Sequence, residues 1–198
     1  MNSTNQVAQT VSLTKGGRVS LTKDNPNLDS IHVGLGWDVN NMGSHDFDLD
    51  ASVFLLGTSD KVENPRNFVF FNNLESPDGS VRHTGDNLTG EGDGDDESIK
   101  IQLSRISPDV QKIVFTVTIY EAKNRGQNFG QVENAFIRIA DEYTGHELIR
   151  YDLTENFSMA RSVIVGELYR HEGEWKFNAS GVSLDEEVDG LCRRFGVR

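Results

Sequence analysis

Cysteine is almost absent from this chain: Cys192 is the only one in 198 residues. That excludes an intramolecular disulfide and a cysteine-based zinc site. Basic residues are also scarce. Lys and Arg number 19 against 31 Asp and Glu, a net charge of −12. Sequence-independent nucleic-acid binding needs clustered Lys and Arg, so this balance argues against it. It also opposes direct docking on an anionic membrane, unless a divalent cation bridges the two. No apolar run approaches membrane-spanning length, so direct membrane insertion is not expected. Residues 1–10, MNSTNQVAQT, have neither the basic start nor the apolar core of a signal peptide. No GxGxxG follows a strand and opens a helix, so the dinucleotide fingerprint is missing too. A soluble, cytoplasmic protein is the expectation.

What the chain does have is acid set in glycine. Residues 85–97 read GDNLTGEGDGDDE, with six acids (Asp86, Glu91, Asp93, Asp95, Asp96, Glu97), four glycines and no basic residue. Six like charges on a short flexible segment repel one another, and the segment becomes compact only around a positive charge. A hard divalent cation with oxygen ligands answers that need, and calcium fits best. The alternative is a solvated acidic loop. The segment from Asp86 to Glu97 has the length of an EF-hand loop, but its interior fails that pattern. Leu88 and Gly90 stand at the third and fifth positions, and Glu91 stands where the loop requires glycine.

A second acidic cluster lies upstream. Residues 46–56, DFDLDASVFLL, alternate Leu49, Ala51, Val53 and Leu55 on one strand face. Asp46, Asp48 and Asp50 therefore share the other face, with neighbours roughly 6–7 Å apart. Asp38 follows the alternation Val33, Leu35, Trp37 and adds another carboxylate. Both clusters need the same counter-charge, so they are expected to meet at one end of the fold. The expected cation ligands are Asp38, Asp48, Asp50, Asp86, Asn87, Asp93, Asp95, Asp96 and Glu97, with Asp96 also weighed as water-facing, and Glu121 as a more remote candidate. Two calcium ions are expected. Catalytic readings are weaker. The acids are too crowded and hydrated for a glycosidase pair with split pKa values. The five histidines never take two-ligand spacing, and no serine sits in a nucleophile elbow.

The rest of the chain reads as short strands. VSLTK-GGR-VSLTK over 11–23 repeats one unit about Gly-Gly and reads as a hairpin or as sheet edge, with sheet edge preferred. Strands are expected over 31–38, 46–56, 67–72, 80–84, 99–103, 112–120, 135–140, 147–153, 162–170 and 174–179. Some ten strands at hairpin spacing predict an all-β, two-sheet antiparallel sandwich. One helix is expected over about 183–195. Ser183 and Glu186 form a capping box there, and Leu184, Val188, Leu191 and Phe195 fall on one face. Residues 1–10 are expected to be a flexible extension, and 11–198 one domain.

Several strings carry a family resemblance: GLGWDVN (34–40), DFDLDASVFLL (46–56), HTGDNLTGEGDGDDE (83–97), QNFGQVENAFIRI (127–139), RYDL (150–153) and GELYRHEGEWKF (166–177). Together they resemble the TerD family of tellurium-resistance and stress proteins. The resemblance implies a calcium-binding β-sandwich of the bacterial cytoplasm. It implies other tellurite-resistance proteins as partners, with a TerC-type membrane protein offering a route to the inner membrane. Direct tellurite reduction is not expected, because one cysteine cannot cycle through an intramolecular disulfide. A non-enzymatic, calcium-dependent scaffold or sensor is the preferred reading. The alternative is a metal-assisted enzyme or binding protein for a phosphorylated or nucleotide, cyclic-AMP-like, ligand.

Overall fold

The computed structural model describes residues 11–12, 15–38, 47–85, 94–153, 157 and 159–198. The expected extension over 1–10 lies outside them. Twelve strands are placed: β1 Val11–Ser12, β2 Arg18–Ser20, β3 Ser30–Gly36, β4 Leu49–Leu56, β5 Phe68–Val69, β6 Val81–His83, β7 Glu97–Gln102, β8 Lys112–Ile119, β9 Phe136–Asp141, β10 Glu147–Asp152, β11 Ser162–His171 and β12 Glu174–Leu184. They form two six-stranded sheets. Sheet A runs β1-β10-β9-β3-β7-β6, and sheet B runs β2-β12-β11-β8-β4-β5. Every pairing is antiparallel except that of β1 with β10. The all-β sandwich expected from strand spacing is what forms.

Period-2 alternation builds the core. Ile31, Val33 and Leu35 of β3 face the other sheet with Ile99 and Ile101 of β7, and Ile137 and Ile139 of β9. Leu49, Ala51, Val53 and Leu55 of β4 meet them with Ile113, Phe115, Val117 and Ile119 of β8. Trp37 and Trp175 are both buried in this core. A second, smaller cluster covers the outer face of sheet B, where Phe54 and Leu56 pack with Phe68, Val114 and Leu191. The rings of Phe54 and Phe68 stack at 4.3 Å, and Phe195 tilts against Phe54 at 4.6 Å.

One local preference holds and one local expectation is corrected. The repeat over 11–23 makes no hairpin. The preferred sheet-edge reading is what forms: β1, from the first copy, borders sheet A, and β2, which runs into the second, borders sheet B. The Gly-Gly link runs along β12: Gly16 N–H donates to the Ala179 carbonyl at 2.7 Å, and Ala179 N–H donates to the Gly17 carbonyl at 2.9 Å. Each copy pairs an open edge of a large sheet, which an isolated two-stranded hairpin could not match. The C-terminal helix is shorter than expected. The described residues form three α-helices, α1 Leu21–Asp24, α2 Ala122–Arg125 and the C-terminal α3 Val188–Phe195. Ser183 and Leu184 end β12, with Leu184 paired to Ser162, so the ladder takes the residues that the capping box would have used. The apolar stripe itself holds. Leu184, Val188, Leu191 and Phe195 all join the outer cluster.

Candidate cation site at one end of the sandwich

Both acidic segments spring from the same end of the sandwich. The one over 38–48 links β3 to β4, and the one over 85–96 links β6 to β7. Residues 39–46 and 86–93 lie outside the described residues, so the calls on Asp46, Asp86, Asn87, Glu91 and Asp93 do too. The feet of both segments are described, and they are tied together. Trp37 N–H donates to Asp96 Oδ2 at 2.9 Å, and its indole Nε1–H donates to the Phe47 carbonyl at 3.1 Å. Asp96 N–H donates to the Leu35 carbonyl at 2.8 Å. One buried tryptophan thus joins the end of the glycine-rich segment to the end of the upstream one.

Glu97 sits on the core face of β7, opposite Leu35, and is fully buried. Its Oε2 accepts the Ala51 N–H at 2.6 Å. Ala51 lies where β5 no longer pairs with β4, so its backbone groups point away from β8 at an open edge. His83, on the core face of β6, completes that edge. Its Nδ1 accepts the Gly85 N–H at 3.2 Å, which places the proton on Nε2 and aims it at the Ala51 carbonyl 3.2 Å away. Nε2 also lies 3.6 Å from Glu97 Oε2. Sheet A therefore stitches itself to sheet B at this corner through one carboxylate and one imidazole.

Asp48 and Asp50 leave the core face, as alternation requires, yet they are only 6% and 7% exposed. Asp50 shares its row with Thr118 and Ser162 on the outer face of sheet B. Tyr120 N–H donates to the Asp48 carbonyl at 2.8 Å. The Tyr120 ring meets Phe71 edge-on at 6.3 Å, joining the strands on either side of β4. Asp38 accepts a bond from Asn134 Nδ2 at 2.6 Å, and its N–H donates to the Glu133 carbonyl at 3.0 Å. Burial raises the Asp96 carboxyl above its ordinary value, the Trp37 bond lowers it, and the charges of Asp95 and Asp38 raise it further. Negative charge is concentrated here.

Asp95 is held differently. Its carboxylate takes a two-pronged bond from Arg138, at 2.8 Å from both Nε and Nη2, and lies 2.7 Å from His32 Nε2. Burial alone would raise this carboxyl, but the His32 and Arg138 bonds and the charges behind them bring it down to about 2. Glu121 falls just past the end of β8. It turns left-handed at φ 50°, stays half exposed and faces Arg125 at 3.7 Å.

These positions test the expected metal. Both nitrogens of His83 face backbone groups, and both nitrogens of His32 face carboxylates, Glu142 Oε2 lying 3.3 Å from Nδ1. The donors gathered at the feet are carboxylate oxygens, the set that suits a hard cation such as calcium rather than zinc or copper. Among the described residues, no three His, Cys, Asp or Glu side chains are yet placed around one point.

Sequence reasoning did not single out Arg138, His32, His83 or the paired glycines Gly34 and Gly36. Glycines two apart on a strand were the available signal, since they clear one whole face. A Cβ on Gly34 would overlap the Asp95 carboxylate, and one on Gly36 would strike the Phe136 ring and crowd the Gly94 carbonyl.

Comparison with known proteins agrees with this architecture. The TerD domain family matches residues 9–195. General stress protein 16U of Bacillus subtilis (strain 168) is 58% identical over 96% of this chain and 98% of its own length. The tellurium resistance protein TerD of Serratia marcescens is 52% identical over 94% of this chain and 97% of its own. A solved Streptomyces coelicolor A3(2) homologue of telluride resistance protein (TerD) superposes with a TM-score of 0.70. It shares 25% identity, covering 83% of this chain and 95% of that one.

Proposed function

The chain belongs to the TerD family, and from that premise we propose that it is a calcium-binding protein of tellurite resistance and general stress response, acting as a calcium-dependent scaffold or sensor and not as an enzyme. One observation carries the reading: the acids at the loop feet are orientated by the frame. Asn134 holds one oxygen of Asp38, the Trp37 N–H one oxygen of Asp96, and the Ala51 N–H one oxygen of Glu97. A bond that holds one oxygen of a carboxylate narrows the directions open to the other. Calcium takes 6–8 oxygens, and carboxylates preset in this way lower the ordering cost of binding.

In this reading Asp38, Asp48, Asp50, Asp96 and Glu97 supply oxygens from the described frame, and Asp86, Asn87 and Asp93 supply the remainder. Calcium would neutralise the crowded acids, changing the surface offered to a partner. The family resemblance implies other tellurite-resistance proteins as partners. It adds a TerC-type membrane protein, through which a cytoplasmic chain would reach the inner membrane. No helix of the described residues is long and apolar enough to cross a membrane itself.

Calorimetric titration of chelator-stripped protein with calcium tests the proposal. Saturable heat at two ions per chain, lost in Asp48→Asn, is expected. No saturable heat at millimolar calcium refutes it.

A further inference from the structure

Asp95 lies inside the acidic segment, but its surroundings differ in kind from those of its neighbours. Asp96 and Glu97 accept backbone N–H groups at the junction of the two sheets. Asp95 instead turns onto the outer face of sheet A. There Gly34 of β3 is registered with Arg138 of β9, and Gly36 with Phe136. The two outward glycines leave a trough one side chain deep, and Gly94 and Asp95 occupy it. Arg138 grips both Asp95 oxygens from one side, and His32 reaches one of them from β3 itself. The gripping residues are braced in turn. Glu142 lies 3.3 Å from His32 Nδ1, and Glu147 lies 3.8 Å from Arg138 Nη1. A guanidinium fork on a carboxylate is directional as well as attractive, so it sets position and not merely charge.

We infer that Asp95 is not a cation ligand but the anchor that seats the glycine-rich segment on sheet A, with Arg138 and His32 as positioning residues and Gly34 as the space the anchor needs. The inference rests on the calcium reading of the segment and assigns one of its acids a different task. A carboxylate already matched to a guanidinium has little to offer a cation. Seating it fixes the next residue, Asp96, whose N–H bonds Leu35 and whose carboxylate holds Trp37.

The sign of one substitution separates anchor from ligand. Arg138→Met removes a competing positive charge. If Asp95 were a ligand, its release would tighten calcium binding. If Asp95 is the anchor, calcium binds about tenfold more weakly, a loss near 1.4 kcal/mol. Arg138→Lys keeps the charge without the fork and restores only part of the loss. Gly34→Ala leaves every charge in place, displaces the carboxylate and weakens calcium in the same direction. Calorimetry on the full chain with calcium alone reads these affinities. Tighter calcium in Arg138→Met, or unchanged affinity in Gly34→Ala, overturns the inference.

A second readout needs no metal. In chelator, amide exchange at Asp96 and Trp37 accelerates in Arg138→Met and Gly34→Ala but not at the core amide of Val117. Unchanged exchange at Asp96 overturns the anchor even in a protein that binds calcium. If the wild type shows no calcium heat, the calcium reading fails, and the exchange result decides the anchor by itself.

Discussion

Replacing Glu97 tests whether the site corner is a structural joint before any cation arrives. The Glu97 side chain is fully buried, and its Oε2 accepts the Ala51 N–H at 2.6 Å. A bond between a backbone donor and a charged acceptor contributes about 1.5–3 kcal/mol, and a buried donor left without a partner costs about 1–3 kcal/mol. Glu97→Leu keeps nearly the same volume but offers no acceptor, so the Ala51 N–H loses its partner at an edge that β5 does not cover. The expected loss is about 3 kcal/mol. Glu97→Ala should exceed this by a cavity cost. Glu97→Gln retains an acceptor oxygen and should lose only about 1–2 kcal/mol. For a chain of this length each kcal/mol moves the melting temperature by about 2–4 °C, so Glu97→Leu should melt about 6–12 °C lower. The assay is urea and thermal unfolding in chelator, which removes any contribution from bound cation. If Glu97→Leu and Glu97→Ala both unfold within about 0.5 kcal/mol of wild type under those conditions, the joint does not exist, and Glu97 is at most a ligand.

Four further outcomes follow from the same geometry. Burial would raise the Asp78 carboxyl, but the Ser76 and Ser80 hydroxyls and the Ser80 and Ser107 N–H groups bring it below its ordinary value. A depressed native pKa contributes stability above the unfolded value near 3.9 and loses it as pH falls through the native one. Asp78→Asn should therefore destabilise the protein more at pH 7 than at pH 2 in urea titrations, and equal costs at both would refute the account. Leu191 is fully buried under α3, so Leu191→Ala should cost about 2–4 kcal/mol in urea and leave calcium affinity unchanged; weaker calcium in that variant would contradict the separation of the two clusters. Calcium at a hundredfold excess over its dissociation constant should add about 2.7 kcal/mol, with chelation lowering the melting temperature while β circular dichroism persists; identical melts with and without chelator would count against a structural ion. Calcium should outcompete magnesium in mixed titrations, because magnesium demands a tight octahedron and keeps its waters, and displacement at equal concentration would reverse that claim.

The sheet architecture was legible because alternation is a strong local signal. Ile31, Val33 and Leu35, or Ile113, Phe115, Val117 and Ile119, can satisfy a period of 2 only as strands with one buried face. The same rule, carried one step further, points Glu97 inward with Ile99 and Ile101, and His83 inward with Val81. Read as loop chemistry, those positions reveal nothing of the joint they form. The repeat over 11–23 offers two readings, hairpin and sheet edge, and the preferred edge reading is the one that forms. Local propensity allows a hairpin, but two open sheet edges offer more partners than the copies offer each other, and that competition is settled by tertiary structure alone. The start of α3 is where the local reading fails: Ser183 and Glu186 satisfy a local capping pattern, while the β11–β12 ladder holds Leu184 as strand. The role of Arg138 was not legible at all, because its partner lies 43 residues away and meets it only across the face of a folded sheet.

Six acids within residues 85–97 look alike in the sequence, and the fold makes them unlike. Three consecutive residues illustrate this. Asp95 turns outward over Gly34 to a guanidinium, Asp96 turns along the sheet end to the Trp37 amide, and Glu97 turns inward to the Ala51 amide. Three directions from three adjacent residues follow from the change of backbone at the entry to β7, where Gly94 has φ 105° and Glu97 already pairs with Leu35. Glycine at 94 permits a turn that other residues rarely adopt, and without it the acids could not fan out. Like charges repel along an extended chain, but carboxylates aimed outward, along and inward each find a separate donor. Part of the repulsion that argues for a cation is thus relieved by the frame itself.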